Sequence, residues 1–534
     1  IHVITREMIQ RRGYSSLREV LQTVPGFAVF HRDLDYVGAV RGLTANDNEK
    51  FTLLINGVEM NQVNEPDILN GPINLDNVER IEVVVGPSSL FLPANTLAAT
   101  VNVITRQPDG PEVVLAKGSA LDYGLTVMTG EDFGDCRSYS ASLTFERRLG
   151  FDAWDDERSP SPLSALEGRK VTGKSDENYL FIATGRHREW TAQLLSYQSR
   201  FPELQLIGNT GSESWYTDEM HGVNVKHEHA YSDTLSTIAS LNVAYKKSSR
   251  LMNGGVPASG IELSIAQYDY NGEVGLIHTG FEGHRIQTGV QLIYEDNFDC
   301  FGRLASSTPN EFTLIDEDTH GTGVYLSDTV TVGEKLTLVG GVRSDQNTIV
   351  GTTWYNGGRA AIIYRPVDVW TTKLMYNRAV RMPSPLAALN AAWGVDNPTA
   401  PDWADDWPLA ERPEKLSTVE WVNALSVGRG RVSLVLYHQE LKDYISWVGP
   451  HSNVGEFSGE GAEVSVGYDL FDHFGVWGNA TYLDATFDAY SSGGESLHVQ
   501  ADTDNRLIGS PRMTANAGFD LDVTRSVLFS TALR

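Results

Sequence analysis

The stretch with the most explicit chemical spelling is Gly168 to Ser175, GRKVTGKS, which satisfies the literal phosphate-loop pattern. Such a loop wraps backbone N–H groups around phosphates where a strand hands over to a helix. Here a Pro/Ser-rich stretch precedes it and the alternating segment Asn178 to Thr184 follows, so it reads as a solvated basic loop. A second candidate is His227-Glu228-His229, whose two imidazoles fall on one side of a strand and could share a metal ion. No third ligand is apparent in the sequence, so this pair is expected to be a structural feature of a rim, without metal. Cys136 and Cys300 are the only cysteines, with no CxxC spacing. They support neither a zinc ribbon nor a disulfide scaffold and are expected as free thiols, Cys136 near a short turn and Cys300 in a long loop.

The richest candidate for ligand capture is the excursion from Pro383 to Pro413. It carries Trp393, Trp403 and Trp407 among Asp396, Asp402, Asp405 and Asp406. Aromatic faces with polar neighbours suit a sugar, a catechol-like chelate or another amphipathic ligand, and equally suit a membrane interface. Nowhere do a nucleophile, a base and an orienting group converge in one motif, so an enzyme is not expected and no catalytic residue is assigned.

The elements that must position these residues are mainly strands. The chain has 534 residues, 41% hydrophobic, with 50 glycines and a net charge of −27. That length exceeds one ordinary compact core, and the charge excludes nucleic-acid binding, which needs clustered Lys and Arg. No apolar run reaches about 18 residues, which excludes a helical membrane protein but not a membrane β-barrel, whose strands are short and alternating. A mean hydropathy of −0.25 is compatible with that.

Alternation is clearest from Met513 to Val523. Met513, Ala515, Ala517, Phe519, Leu521 and Val523 face one way, and Thr514, Asn516, Gly518, Asp520 and Asp522 the other. Glu463 to Leu470 repeats the pattern, with one face suited to lipid and one to a polar lumen. Short turns such as Gly333-Glu334-Lys335 alternate with long excursions near 150–175, 200–218, 296–321, 380–415 and 485–508. Before this region, Ser16 and Glu19 form a capping box for one short amphipathic helix that ends at Pro25-Gly26. Phe51 to Met60 reads as a hairpin around Asn56-Gly57. The expectation is a small α+β unit over 1–110 and an all-β transmembrane antiparallel barrel over 111–534. Such plugged barrels have about 22 strands in full, and roughly 19 are counted here, so the barrel reads as C-terminally incomplete. No signal peptide is visible at Ile1, and the start reads as mature or trimmed.

Asn77 to Arg106, NVERIEVVVGPSSLFLPANTLAATVNVITR, resembles the end of the plug domain of TonB-dependent outer-membrane receptors. Leu17 to Phe27 (LREVLQTVPGF), Val40-Arg41-Gly42 and Leu54 to Val58 are similar to further plug motifs of that family. Leu336 to Arg343, Arg381 to Ser384, Glu411 to Glu420 and Gly478 to Phe487 resemble its barrel motifs. The resemblance implies energy-coupled uptake of a scarce nutrient through the outer membrane, with membrane lipid and the periplasmic coupling protein TonB as partners. Ferric siderophore is the first expected ligand, with cobalamin, haem and glycans behind it. The rival is a non-transporting surface binding or structural protein that keeps the fold.

The resemblance also implies that Arg41 faces the barrel glutamates Glu420 and Glu463, with Val85 standing where a second plug arginine would come. Plug apices facing the outer vestibule are expected at His31 to Tyr36 and Met60 to Asn64. Substrate contacts are accordingly assigned to His31, Arg32, Tyr36, Asn61 and Asn64, beside Trp393, Trp403 and Trp407.

Overall fold

The computed structural model describes residues 1–32, 35–44, 50–61, 69, 73–87, 90, 96–118, 121–148, 152–154, 170–172, 176–202, 215–253, 260–305, 310–313, 315, 317–385, 410–447, 451–471, 473–489, 510–524 and 527–533. Everything stated below concerns these residues.

The N-terminal unit is a five-stranded sheet in the order His2–Thr5, Val78–Val85, Ala99–Thr105, Phe51–Ile55, Val58–Glu59, flanked by two short helices. The expected helix is Leu17–Gln22. Ser16 caps it by accepting from the Glu19 amide, while the Glu19 carboxylate reaches back to the amide of Ser15, one residue before the usual partner. Leu17, Val20 and Leu21 are its buried face.

A second helix, Arg6–Arg12, was not anticipated. It is closed by Thr5 at one end and by Gly13 in the left-handed region at the other, but Ile9 is its only buried residue. Its sequence therefore carries almost no apolar period to read. The Asn56-Gly57 turn has φ of 51° and 85°, the positive pair that a two-residue hairpin turn requires. Phe27 and Phe51 meet edge to face at 5.2 Å in the centre of the unit's core.

Around this unit runs a closed barrel of nineteen successive strands from Glu112–Ala116 to Val527–Leu533. The short segment Asn310–Thr313 pairs as a spur on His284–Ala305. Sequence neighbours pair antiparallel throughout, so one simple alternation sets which side chains enter the lumen. Glu463 is 3% exposed, whereas Val466, three residues on and therefore in the opposite phase, is 44% exposed. Val274, Leu292, Val342 and Leu374 likewise stand outward, the apolar band that lipid requires.

Two expectations change. The segment near 296–321 is largely strand, because the hairpin of Gly260–His278 with His284–Ala305 continues its ladder past a bulge at Asp299, where φ is 52°. Cys300 therefore lies in a strand, buried, its thiol against the carbonyls of Ala266 and Phe298, and not in a loop. Cys136 occupies the tight turn between Leu121–Gly134 and Arg137–Arg148, and both cysteines are free. Of the phosphate-loop spelling, Lys170–Thr172 form a two-stranded ribbon with Asp152–Trp154, while the remainder lies outside the described residues.

Candidate functional site: the seat of the plug in the barrel

Arg41 follows the strand Asp35–Val40 in the left-handed region, with φ of 49°. Its amide donates to Gly26 O at 2.7 Å, and its carbonyl accepts from Gln439 of the barrel at 2.6 Å. With the backbone fixed at both ends, the side chain can leave the plug in one direction. Arg41 Nε donates to Glu463 Oε1 at 2.8 Å, and Nη1 lies 3.2 Å from Glu420 Oε1. The guanidinium also lies 4.1 Å over the Tyr437 ring. All three charged side chains are at most 5% exposed. Burial alone would lower the Arg41 pKa, but Glu463 and Glu420 beside it raise it above its ordinary value. A single arginine thus serves both carboxylates, and Val85 packs against the apolar core instead of supplying a second cation.

Two glycines make this approach possible. A Cβ on Gly26 would fall 2.4 Å from Glu463 Oε1, and one on Gly86 2.7 Å from Glu420 Oε1. Both also have positive φ, 78° and 96°, so any L side chain there meets strain and a carboxylate together. These are the glycines of the Pro-Gly and Gly-Pro motifs.

A second buried ion cluster was not anticipated. Lys50, just before Phe51–Ile55, donates to Glu414 Oε1 and, at 2.9 Å, to Ile445 O. Arg381 Nε donates to the other oxygen of Glu414, whose Oε1 also accepts from the Ile445 amide at 2.8 Å. Lys50 is 1% exposed and Glu414 0%. The same wall holds the plug at lower levels too: Arg11 pairs with Asp522 at 2.9 Å, Gly26 N donates to Thr481, and the Asn479 and Asn516 amides donate to Thr23 O and Gln22 O.

The wall formed by the strands from Trp215–Ser232 to Leu336–Asn347 is different. Between it and the plug hairpin Phe51–Glu59 lies a cavity of about 230 Å³, lined by Glu59, Asn61, Lys246, Asp269, Glu273 and Glu295 among others. Lys246 spans it, paired to Asp269 at 2.5 Å and donating to the Asn61 carbonyl at 2.9 Å. Burial raises the Glu59 carboxyl above its ordinary range, while Lys246 opposes this.

Of the residues assigned to substrate, Asn61 borders this cavity, with its amide spent on Leu53 N and Phe51 O. His31, Arg32 and Tyr36 belong to the hairpin Phe27–Arg32 with Asp35–Val40. Asn64, Trp393, Trp403 and Trp407 lie outside the described residues. The third partner missing from the histidine pair is present: Glu189 contacts both His227 and His229. Its distance in sequence hid it, and the strand register that carries Trp190 opposite His227 brings it in.

Residues 1–100 match the family described as TonB-dependent Receptor Plug Domain, and residues 143–530 the one described as TonB dependent receptor-like, beta-barrel. The Vitamin B12 transporter BtuB of Vibrio vulnificus is 24% identical over 404 residues, 72% of this chain and 60% of that protein, so the chain spans about 60% of that relative's length. The ferric yersiniabactin uptake receptor FyuA from Yersinia pestis superposes with a TM-score of 0.70 at 14% identity, covering 99% of this chain and 84% of that one. The siderophore receptor PirA from Acinetobacter baumannii gives 0.71 at 15% identity, over 99% and 84%. A plug family, a barrel family and a plug seated in a closed barrel agree: this chain belongs to the TonB-dependent receptors, proteins of the bacterial outer membrane.

Proposed function

We propose that the protein takes up a scarce nutrient, a ferric siderophore before cobalamin, haem or a glycan, by energy-coupled transport through the outer membrane. Residues 1–110 act as the plug, residues 111–534 as the barrel, and TonB pulls from the periplasm. The observation that carries this reading is the one-sided seat. Buried ion pairs to carboxylates fasten the plug to the wall from Glu414 to Thr524, whereas a polar cavity lies between the hairpin Phe51–Glu59 and the opposite wall, whose cations reach only plug carbonyls. Buried pairs of this kind add little net stability, yet breaking one side of them is expensive. They therefore suit a latch that holds until pulled. Ferric siderophore stands first because FyuA from Yersinia pestis is a ferric yersiniabactin uptake receptor and PirA from Acinetobacter baumannii a siderophore receptor.

In the same reading, His31, Arg32, Tyr36, Asn61, Asn64, Trp393, Trp403 and Trp407 contact the nutrient from the outer side. Arg41, Glu420 and Glu463 hold the plug. Val85 favours the rival, a surface protein that binds without transporting, because the seat has one arginine for two glutamates. The test is accumulation of radiolabelled ferric siderophores, cobalamin, haem and glycans by cells making the full-length protein, with and without TonB. TonB-dependent accumulation of one of them supports transport. Binding at the surface with no accumulation sinks it in favour of the rival.

A further inference from the structure

The turn between Asp176–His187 and Trp190–Pro202 places a carboxylate against two imidazoles of the next strand. Arg188 is in the left-handed region, with φ of 56°, and its amide donates to Cys136 O at 2.8 Å. Glu189 O then accepts from Glu228 N at 2.9 Å, which extends the ladder by one residue and fixes the turn beside Trp215–Ser232. The Glu189 carboxylate lies 2.9 Å from His229 Nδ1 and 3.3 Å from His227 Nε2. All three potential ligand atoms lie within 4.8 Å of one another. The imidazole planes are 9° apart, with Trp190 against His227 and Tyr231 edge-on to His229. The aromatic neighbours brace both rings while leaving the three side chains 28–46% exposed, open to an incoming ion.

We propose that Glu189, His227 and His229 form a site for a divalent transition metal of the zinc class, on the outer wall of the barrel at its short-turn rim. Zinc ligands stand roughly 2.0–2.1 Å from the ion, which at tetrahedral angles separates ligand atoms by about 3.3 Å. The 2.9 Å contact runs to Glu189 Oε1 and the 3.3 Å contact to Oε2, and one ligand atom from each residue lies within 4.8 Å of the other two, so the three side chains are already grouped at the scale of one ion. Two nitrogens and one carboxylate oxygen suit zinc, copper or nickel, whereas magnesium and calcium favour oxygen ligands. The fourth position stays open to water or to a further ligand. Such an ion ties the Arg188-Glu189 turn to the strand Trp215–Ser232, one strand beyond the hairpin it closes.

The test uses the full chain in detergent, stripped with a chelator and titrated with Zn²⁺ by calorimetry and with Co²⁺ by visible absorption. One Zn²⁺ per chain and the intense ligand-field bands of four-coordinate Co²⁺ are expected. His227→Gln and His229→Gln should each weaken Zn²⁺ binding by at least about tenfold, since even residues behind the ligands matter that much. His221→Gln, on the same outward face, should leave it unchanged. Heat-modifiable electrophoretic mobility checks that each variant still forms its barrel. No saturable binding by the wild type, equal affinity in the wild type and both histidine variants, or an equal loss in His221→Gln overturns the proposal.

Discussion

The two walls of the barrel hold the same plug by different physics. From Glu414 to Thr524 the contacts are charged, buried and bidentate, with Arg41 and Lys50 each reaching barrel carboxylates. From Trp215 to Asn347 the charged side chains reach only plug backbone: Lys246 donates to Asn61 O at 2.9 Å beside a cavity and Arg343 to Leu90 O at 3.5 Å, while on the neighbouring strand Gln193 meets Asn56 amide to amide at 3.0 Å. A buried charge left without its partner is costly, but Lys246 and Arg343 keep their barrel carboxylates Asp269 and Asp345 when the plug parts, and the Gln193 amide contact exchanged for water costs little. The first wall is therefore a fixed seat that fails abruptly. The second is a surface from which the plug can part, and the expected variant effects fall in that order.

The largest effect should come from Arg41→Met. It leaves Glu420 and Glu463 buried together without a cation, a loss of about 3–5 kcal/mol in the seating of the plug. Denaturant unfolding followed by plug-specific fluorescence measures it, and adding Glu420→Gln with Glu463→Gln should recover part of the loss. Next is Glu414→Gln, which deprives Lys50 and Arg381 of their shared carboxylate and should cost about 3 kcal/mol in the same assay. An effect as small as that of a surface substitution would remove the second ion cluster from the account.

Gly86→Ala comes third. The new methyl group meets Glu420 Oε1 in a backbone conformation with φ of 96°. Strain and displacement together should cost about 2 kcal/mol. Gln193→Ala, on the strand beside the other wall, is the smallest, since it removes amide contacts to Asn56 and to Ile55 O at roughly 1 kcal/mol. If Gln193→Ala unseats the plug as strongly as Arg41→Met, the contrast between the walls is lost.

How much of this was legible in the sequence follows from the range of each signal. Alternation at 463–470 and 513–523 is local and of period two, so the barrel and its lumen-facing phase could be read directly. The helix Arg6–Arg12 has readable caps in Thr5 and Gly13, but only Ile9 enters the core, so no apolar period joins the two signals into a helix. Arg41, Glu420 and Glu463 were named from their motifs, and the structure brings their charges into one cluster. Lys50, Arg381 and Glu414 were passed over although two of them sit inside quoted motifs. Their meeting depends on how far the plug strand is inserted, and no window of sequence encodes that. Glu189 was missed for the same reason at smaller scale, since only the register of two strands carries it to His227 and His229.

The most direct test of the one-sided seat is the urea concentration at which the barrel becomes an open channel in a planar bilayer, since an unfolding or departing plug uncovers the lumen. The wild type should stay closed in buffer and open at high urea. Arg41→Met should open at clearly lower urea, while Gln193→Ala opens near the wild-type value. Opening of both variants at one shared concentration, or of Gln193→Ala first, would contradict the account.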